Sequence, residues 1–171
     1  MACTLEGTRP ILLEIQALVS RTDLAMPRRV GTGVDPKRLA MIVAVLSRHA
    51  GLGLGAADVF VNVAGGVRID EPGADLAVAL AIASAARGAP VRDGFATIGE
   101  IGLTGRLRQA AQMDRRLEEC AKLGIATVVA ADGVKSTQRG GPRVVRAETV
   151  RQALAAALEA RATQAEGDEQ P

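Results

Sequence analysis

Apolar residues recur along this chain with two different periods, and the switches between them mark out its elements. In ILLEIQALV (11–19), Leu, Ile and Val crowd together with Glu14 and Gln16 on one alternating face, which predicts a strand. A polar, basic connection follows, SRTDLAMPRRVGTG. From Asp35 the period lengthens to that of a helix. Asp35 stands as an N-cap carboxylate and Pro36 as the first helical residue, Leu39, Ile42, Val43 and Leu46 recur at helical spacing, and Gly51 closes the run. Alternation returns in ADVFVNVAGG (57–66), where Val59, Val61 and Val63 oppose Asn62 and the strand runs out into glycines.

The stretch IDEPGADLAVALAIAS (69–84) then reads as a tight loop opening onto a helix that is apolar on every side, so that helix belongs in the interior. Beyond Gly88 and Pro90, FATIGEIGLTGRLR is a strand and turn broken into short pieces by Gly99, Gly102 and Gly105. Met113 to Leu123 predicts a second amphipathic helix closed by Gly124. ATVVAA (126–131) and PRVVRA (142–147) predict two more strands, and ETVRQALAAALEARA a final Ala-rich helix. Strands and helices in this order predict an α/β (α+β) domain with helices packed on a mixed sheet.

Composition narrows the picture. A chain of 171 residues with 48% hydrophobic and 23% charged residues suits one well-buried domain. Residues 163–171 are expected to form a disordered acidic tail, and residues 1–4 a remnant of a linker or of cloning, leaving 5–162 as the domain. No apolar run approaches the ~20 residues that span a bilayer, and the N-terminus lacks a signal core, so a cytoplasmic protein without membrane partners is expected. Cys3 and Cys120 are too few and too far apart in sequence to suggest a disulfide framework or a metal cluster, and read as free thiols.

The net charge of +2 hides an asymmetry, because Glu166, Asp168 and Glu169 sit in the last nine residues and no basic residue does. Without that tail the body is three charges more positive. Eighteen of the 21 basic residues are Arg, whose planar fork suits phosphate. Arg28-Arg29 with Lys37-Arg38, then Arg68, then Arg106, Arg108, Arg115 and Arg116 form three clusters; a solvated surface or ion pairs between subunits explain them as well as nucleic acid does. With no Trp or Tyr, and with Phe60 and Phe95 expected in the core, there is no platform for stacking single-stranded bases. A nucleic-acid partner would be duplex, read through its backbone.

GEIGLTGRLR (99–108), the glycine loop with its apolar helix (64–86) and DRRLEECAKLGIATVVAADG (114–133) occur in the order found in Lon-type protease domains. Within that superfamily, EGTRPILLEIQALV, MPRRVGTGVDPKRLAMIVAVLSRHAGL and DVFVNVAGGVRIDEPGADLAVALAIASA resemble the C-terminal Lon-like domain of the RadA (Sms) family of bacterial DNA repair proteins, over about residues 5–160. The resemblance implies a Lon proteolytic-domain-like fold. It places Ala74 where Lon proteases carry their nucleophilic Ser and Asp114 where they carry the activating Lys. Ala has no nucleophile and a carboxylate cannot stand in for the amine, so the resemblance implies a catalytically inactive domain. Asp75 is expected as an N-cap or first-turn residue of the apolar helix.

The resemblance further implies a parent that is a DNA-dependent ATPase of recombinational repair, driving branch migration as a hexameric ring. Its partners would be duplex or branched DNA, other copies of itself and the RecA-type recombination machinery, in the nucleoid-associated cytoplasm. No GxxxxGK[ST] is present; ADGVKST lacks the wrapping glycines. No cofactor is therefore expected on this chain, which looks like part of a longer protein; ATP, Mg and Zn belong to its N-terminal parts. For DNA contact the expected residues are Arg28, Arg29, Arg38, Arg68, Arg106 and Arg108. Two other readings compete: a peptidase with a displaced dyad (Ser84 or Ser136 with a lysine, or Ser47 with His49), and a docking module that binds no DNA.

Overall fold

In the computed structural model, residues 1–134 and 140–159 are described. The chain begins as a hairpin of β1 (Ala2–Glu6) and β2 (Arg9–Leu13), continues into β3 (Ile15–Arg21) and β4 (Arg29–Thr32), and enters helix α1 (Pro36–His49). Strand β5 (Ala57–Val63) leads through the glycine loop to helix α2 (Asp75–Arg87). After β6 (Phe95–Ile98), a short hairpin of β7 (Glu100–Ile101) and β8 (Leu107–Arg108) precedes helix α3 (Met113–Lys122). Strands β9 (Thr127–Ala131) and β10 (Arg143–Ala147) and helix α4 (Val150–Ala157) complete the domain.

The larger sheet has the order β10-β9-β6-β1-β2 and is mixed: β1 pairs antiparallel with β2, and the other neighbours run parallel. The second sheet is β3-β5-β4, antiparallel on one side of β5 and parallel on the other. The mixed α/β architecture agrees with the expectation. Helix α2 sits at its centre, where Leu76, Val78, Leu80 and Ile82 are buried together with Ala77, Ala79 and Ala83. A helix with neighbours on all sides has no polar face to offer, and its small residues let those neighbours approach closely.

Local signals set the helix ends. The Asp35 carboxylate accepts from the Arg38 N–H and caps α1, as its Asp-Pro start predicts. Thr149 and Gln152 form a reciprocal capping box on α4. Gly88, at φ 59°, closes α2 in the left-handed conformation that glycine adopts without strain.

Four expectations need correction. Residues 2–4 are not a remnant ahead of the domain; they lie in β1, between β6 and β2, with Ala2 and Cys3 fully buried. ILLEIQALV is two strands, because the chain leaves the larger sheet at Leu13, opposite Ala2, and joins the second at Ile15, opposite Val63. Glu14 bridges them without breaking the alternation. Arg29–Thr32, expected within a connection, pairs with β5 as β4. The final helix ends at Ala157, where Leu158 turns extended and bridges to Val91. The predicted tail, 163–171, lies outside the described residues.

Phe60 also departs from its expected core position. It is half-buried and stands in register between Leu18 of β3 and Val30 of β4, with the Arg28 guanidinium 5.4 Å from its ring centroid. Phe95 packs against the main core, as expected.

Candidate functional site

The loop that opens α2 is held from three sides by one carboxylate. Glu71 accepts from the Gly73 N–H at 2.7 Å, from Thr4 Oγ1 at 2.9 Å and from Arg116 Nη1 at 2.8 Å. Burial works to raise the Glu71 pKa; the Arg116, Thr4 and Gly73 hydrogen bonds and the Arg116 charge outweigh it, leaving it below the ordinary glutamate value. Three residues on, Ala74 is fully buried. It contributes to a pocket of about 300 Å³ whose apolar side comprises Val34, Ile42, Ile69 and Val78 and whose rim holds Arg38 and Arg68.

Asp75 has the structural, first-turn place expected of it, but it is not the cap of α2; that position is Ala74, with no side-chain bond. The buried Asp75 carboxylate instead accepts from Arg38 Nε at 2.7 Å, from Arg38 Nη2, and from the Ile101 N–H at 3.1 Å. It thereby ties α1 and β7 to the start of α2. Burial pushes the Asp75 carboxyl up, against the pull of those hydrogen bonds. The Arg38 guanidinium is held charged by the same pair.

Asp114 lies on the exposed first turn of α3, in a surface depression with Gln112 and Arg115. That depression shares no lining residue with the pocket at Ala74. The α3 residue that reaches the loop before α2 is Arg116, which linear spacing groups with the surface arginines. Its side chain is 0% exposed and donates to the carbonyls of Ala111 and Cys3 besides Glu71. Adjacent arginines in a helix give no linear sign of which one turns inward.

The six arginines expected at DNA divide by environment. Arg28 forks onto the buried Asp58 through Nε and Nη2, at 2.9 and 2.6 Å, while its side chain stays 60% exposed. Arg29 donates to the carbonyls of Ala57 and Leu54, and Arg38 is engaged with Asp75. The other three are exposed. Arg68 pairs with the equally exposed Asp70, Arg106 reaches Glu148 at 3.3 Å, and Arg108 makes no ion pair among the described residues.

The fold also assembles a basic group that linear spacing does not show. Arg87 Nη2 donates to the Ala50 carbonyl and Arg151 Nε to that of His49, so two distant arginines meet at the C-terminal end of α1, beside Arg48 in its last turn. His49 Nε2 bonds the Leu103 carbonyl at 3.0 Å, bringing the β7–β8 turn and Arg106 to the same end. Arg48, Arg87, Arg106 and Arg151 are all exposed.

The serines considered for a displaced dyad are engaged elsewhere. Ser47 Oγ donates to the Val43 carbonyl and Ser84 Oγ to that of Ala89. Lys135 and Ser136 lie outside the described residues. Among the described residues no group of three His, Cys, Asp or Glu side chains could hold a metal ion, and no helix is long and apolar enough to cross a membrane.

A loop anchored by Glu71 leads into the largely buried helix α2 at the centre of a mixed α/β domain. A family model described as subunit ChlI of Mg-chelatase matches residues 37–133, more than half of the chain, and the chain belongs to this ChlI-type family. Its relatives include proteins named DNA repair protein RadA, and its sequence fits their C-terminal domain. That of Halalkalibacterium halodurans is 47% identical over 77% of this chain and 29% of its own length. The Bacillus subtilis protein is 42% identical over 92% of the chain and 35% of its own length, and the Escherichia coli protein 47% identical over 79% and 30%. The chain thus spans about a third of the length of these relatives.

Proposed function

We propose that this chain is the non-catalytic, Lon-like C-terminal domain of a RadA-type protein of recombinational DNA repair, and that it grips duplex or branched DNA through phosphates. The observation behind the DNA reading is the convergence of Arg48, Arg87, Arg106 and Arg151 on the C-terminal end of α1. One N–H of Arg87 and one of Arg151 serve the helix carbonyls, and both residues are exposed, with further donors on each fork for a phosphate to engage. Arg68 and Arg108, exposed on other loops, extend the basic surface. Arg28 contributes only its exposed flank, and Arg29 and Arg38 act from within by holding backbone and Asp75. Ala74, without a nucleophile, supports the non-catalytic part.

On this reading copies of the domain pack side by side in a ring, in a longer protein whose ATP, Mg and Zn sites lie outside this chain and which works with RecA-type recombination machinery. The test is fluorescence anisotropy of a labelled duplex titrated with the chain over a series of salt concentrations, for the wild type and for Arg48→Glu with Arg106→Glu. Neither side chain caps α1. The wild type is expected to lose affinity with a log–log slope of roughly −0.9 per phosphate contacted, and the variant to bind at least ~10-fold more weakly at low salt with a shallower slope. Equal binding by both proteins moves DNA off this end of α1. No binding by either, in a chain that light scattering finds ring-sized, leaves scaffolding as the role.

A further inference from the structure

The two cysteines, read from the sequence as unrelated free thiols, meet in the fold. Cys3 is on β1 and Cys120 on α3; both are fully buried in the small apolar cluster with Ile98, Leu117 and Val128. Cys3 Sγ lies 3.6 Å from the Arg116 carbonyl, and Cys120 is one helical turn beyond Arg116, on the same face of α3. Arg116 returns the contact, its Nη1 donating to the Cys3 carbonyl at 2.6 Å. Both side chains thus lie against the Arg116 turn of α3, from opposite elements of one buried cluster. We propose that Cys3 and Cys120 are a thiol–disulfide couple, closing under oxidation into an intramolecular disulfide that staples β1 to α3.

The chemistry is ordinary exchange with a small-molecule disulfide of the glutathione type. The Cys120 thiolate attacks one sulfur of the reagent, forming a mixed disulfide and releasing one thiolate that takes up a proton. Cys3, deprotonated in turn, attacks the Cys120 sulfur, closes the protein disulfide and releases the second thiol. Two electrons pass from the cysteine pair to the reagent, which leaves as two thiols. Cys120 is the first attacker because its interaction with Cys3 holds its thiol below the ordinary value, whereas that same interaction and burial push Cys3 up. Both sulfurs being buried, the reaction requires a local opening, and the strand β1, registered to β6 at the single position Ala2 with Thr97, is the element on which the proposal places it.

The test is to treat the folded chain with oxidised glutathione, quench with acid, and read intact mass and free thiols under denaturing conditions. The expected product is monomeric, lighter by two hydrogen atoms, devoid of free thiol, and yields one cross-linked peptide containing Cys3 and Cys120. Cys3→Ser is expected to stop at the mixed disulfide, with the mass of one glutathionyl group added at Cys120. The closed form should melt at least ~5 °C higher than the reduced form, because the bridge spans more than a hundred residues. Two free thiols surviving exposure that fully oxidises the unfolded chain, separate adducts on both cysteines, or a bridge between two chains would each overturn the proposal.

Discussion

Arg116 Nη1 stands 2.8 Å from Glu71 Oε1, and through this contact a guanidinium with no exposed surface joins α3 to the loop that opens α2. The same side chain reaches the carbonyls of Cys3 and Ala111, so three segments far apart in sequence depend on it. Removing one partner of such a pair strands the other charge in a place shielded from water.

Arg116→Ala is therefore expected to destabilise the chain by about 3–5 kcal/mol in urea titration. Arg116→Lys should recover little, since one ammonium cannot reach all three acceptors in the fork's geometry. Arg68→Ala, which breaks an ion pair exposed on both sides, should cost no more than about 0.5 kcal/mol. Equal losses for Arg116→Ala and Arg68→Ala would remove the clasp from the account of the fold.

Acid should weaken the domain in a defined direction. Asp58, hydrogen-bonded by the Arg28 side chain and N–H, and Glu71, clasped by Arg116, both titrate below their ordinary values in the folded chain. A carboxyl with a depressed folded-state pKa adds stability that is complete above its unfolded value and disappears as pH falls through the folded one. The contribution of these two carboxyls is thus expected to be level from neutral pH down to about pH 5 and to drop below about pH 4, while Asp75, whose carboxyl burial pushes up, works in the opposite direction. Glu71→Gln should be less stable at neutral pH and show a shallower acid slope; an unchanged slope would mean that this pair does not govern the acid limb.

What the sequence made legible was what neighbours in sequence decide. The Asp35-Pro36 start of α1, the alternation of β5 and the apolar α2 all rest on residues within a few positions of one another, and each stands where the pattern predicts. What stayed hidden depended on partners far away. Nothing within ILLEIQALV says that Leu13 answers to Ala2 and Ile15 to Val63, because the alternation runs unbroken through Glu14. Short β1 has no period of its own and is a strand only because β6 and β2 flank it. In the candidate site, Ala74 and Asp75 are at the mouth of α2 as expected, yet the partners that give the mouth its shape, Arg38 and Arg116, belong to clusters whose spacing reads as surface.

Arg38 and Asp75 offer a second energetic test, independent of Arg116. Arg38→Ala leaves the Asp75 carboxylate buried with only the Ile101 N–H, and a loss of about 2–4 kcal/mol is expected in chemical denaturation. Adding Asp75→Ala to that variant should cost less than the two single losses together, because the second change removes the charge that the first stranded. Strict additivity would mean that the two side chains act separately. If Arg38→Ala weakens DNA binding, the loss should scale with the loss of stability.

On the proposed Lon-like reading, Ala74→Ser with Asp114→Lys should still not make a peptidase. A hydroxyl activated by an amine needs the two within roughly 2.6–3.2 Å, in a place a peptide carbonyl can also enter. Ala74→Ser would put the hydroxyl at the buried mouth of α2, whereas Asp114→Lys would put the amine on the exposed first turn of α3, in a depression that shares no residue with the pocket at Ala74. Between α3 and that loop stands Arg116, engaged with Glu71 and unable to accept a proton at neutral pH. The double variant is accordingly expected to stay at background with casein and fluorogenic peptides while remaining folded by circular dichroism, with a somewhat lower melting temperature because a hydroxyl enters a buried position and a lysine replaces an acid at a helix N-terminus. Turnover above background in the double variant that is absent from Asp114→Lys alone would show that α3 can bring its first turn to the loop, and would overturn this geometric argument.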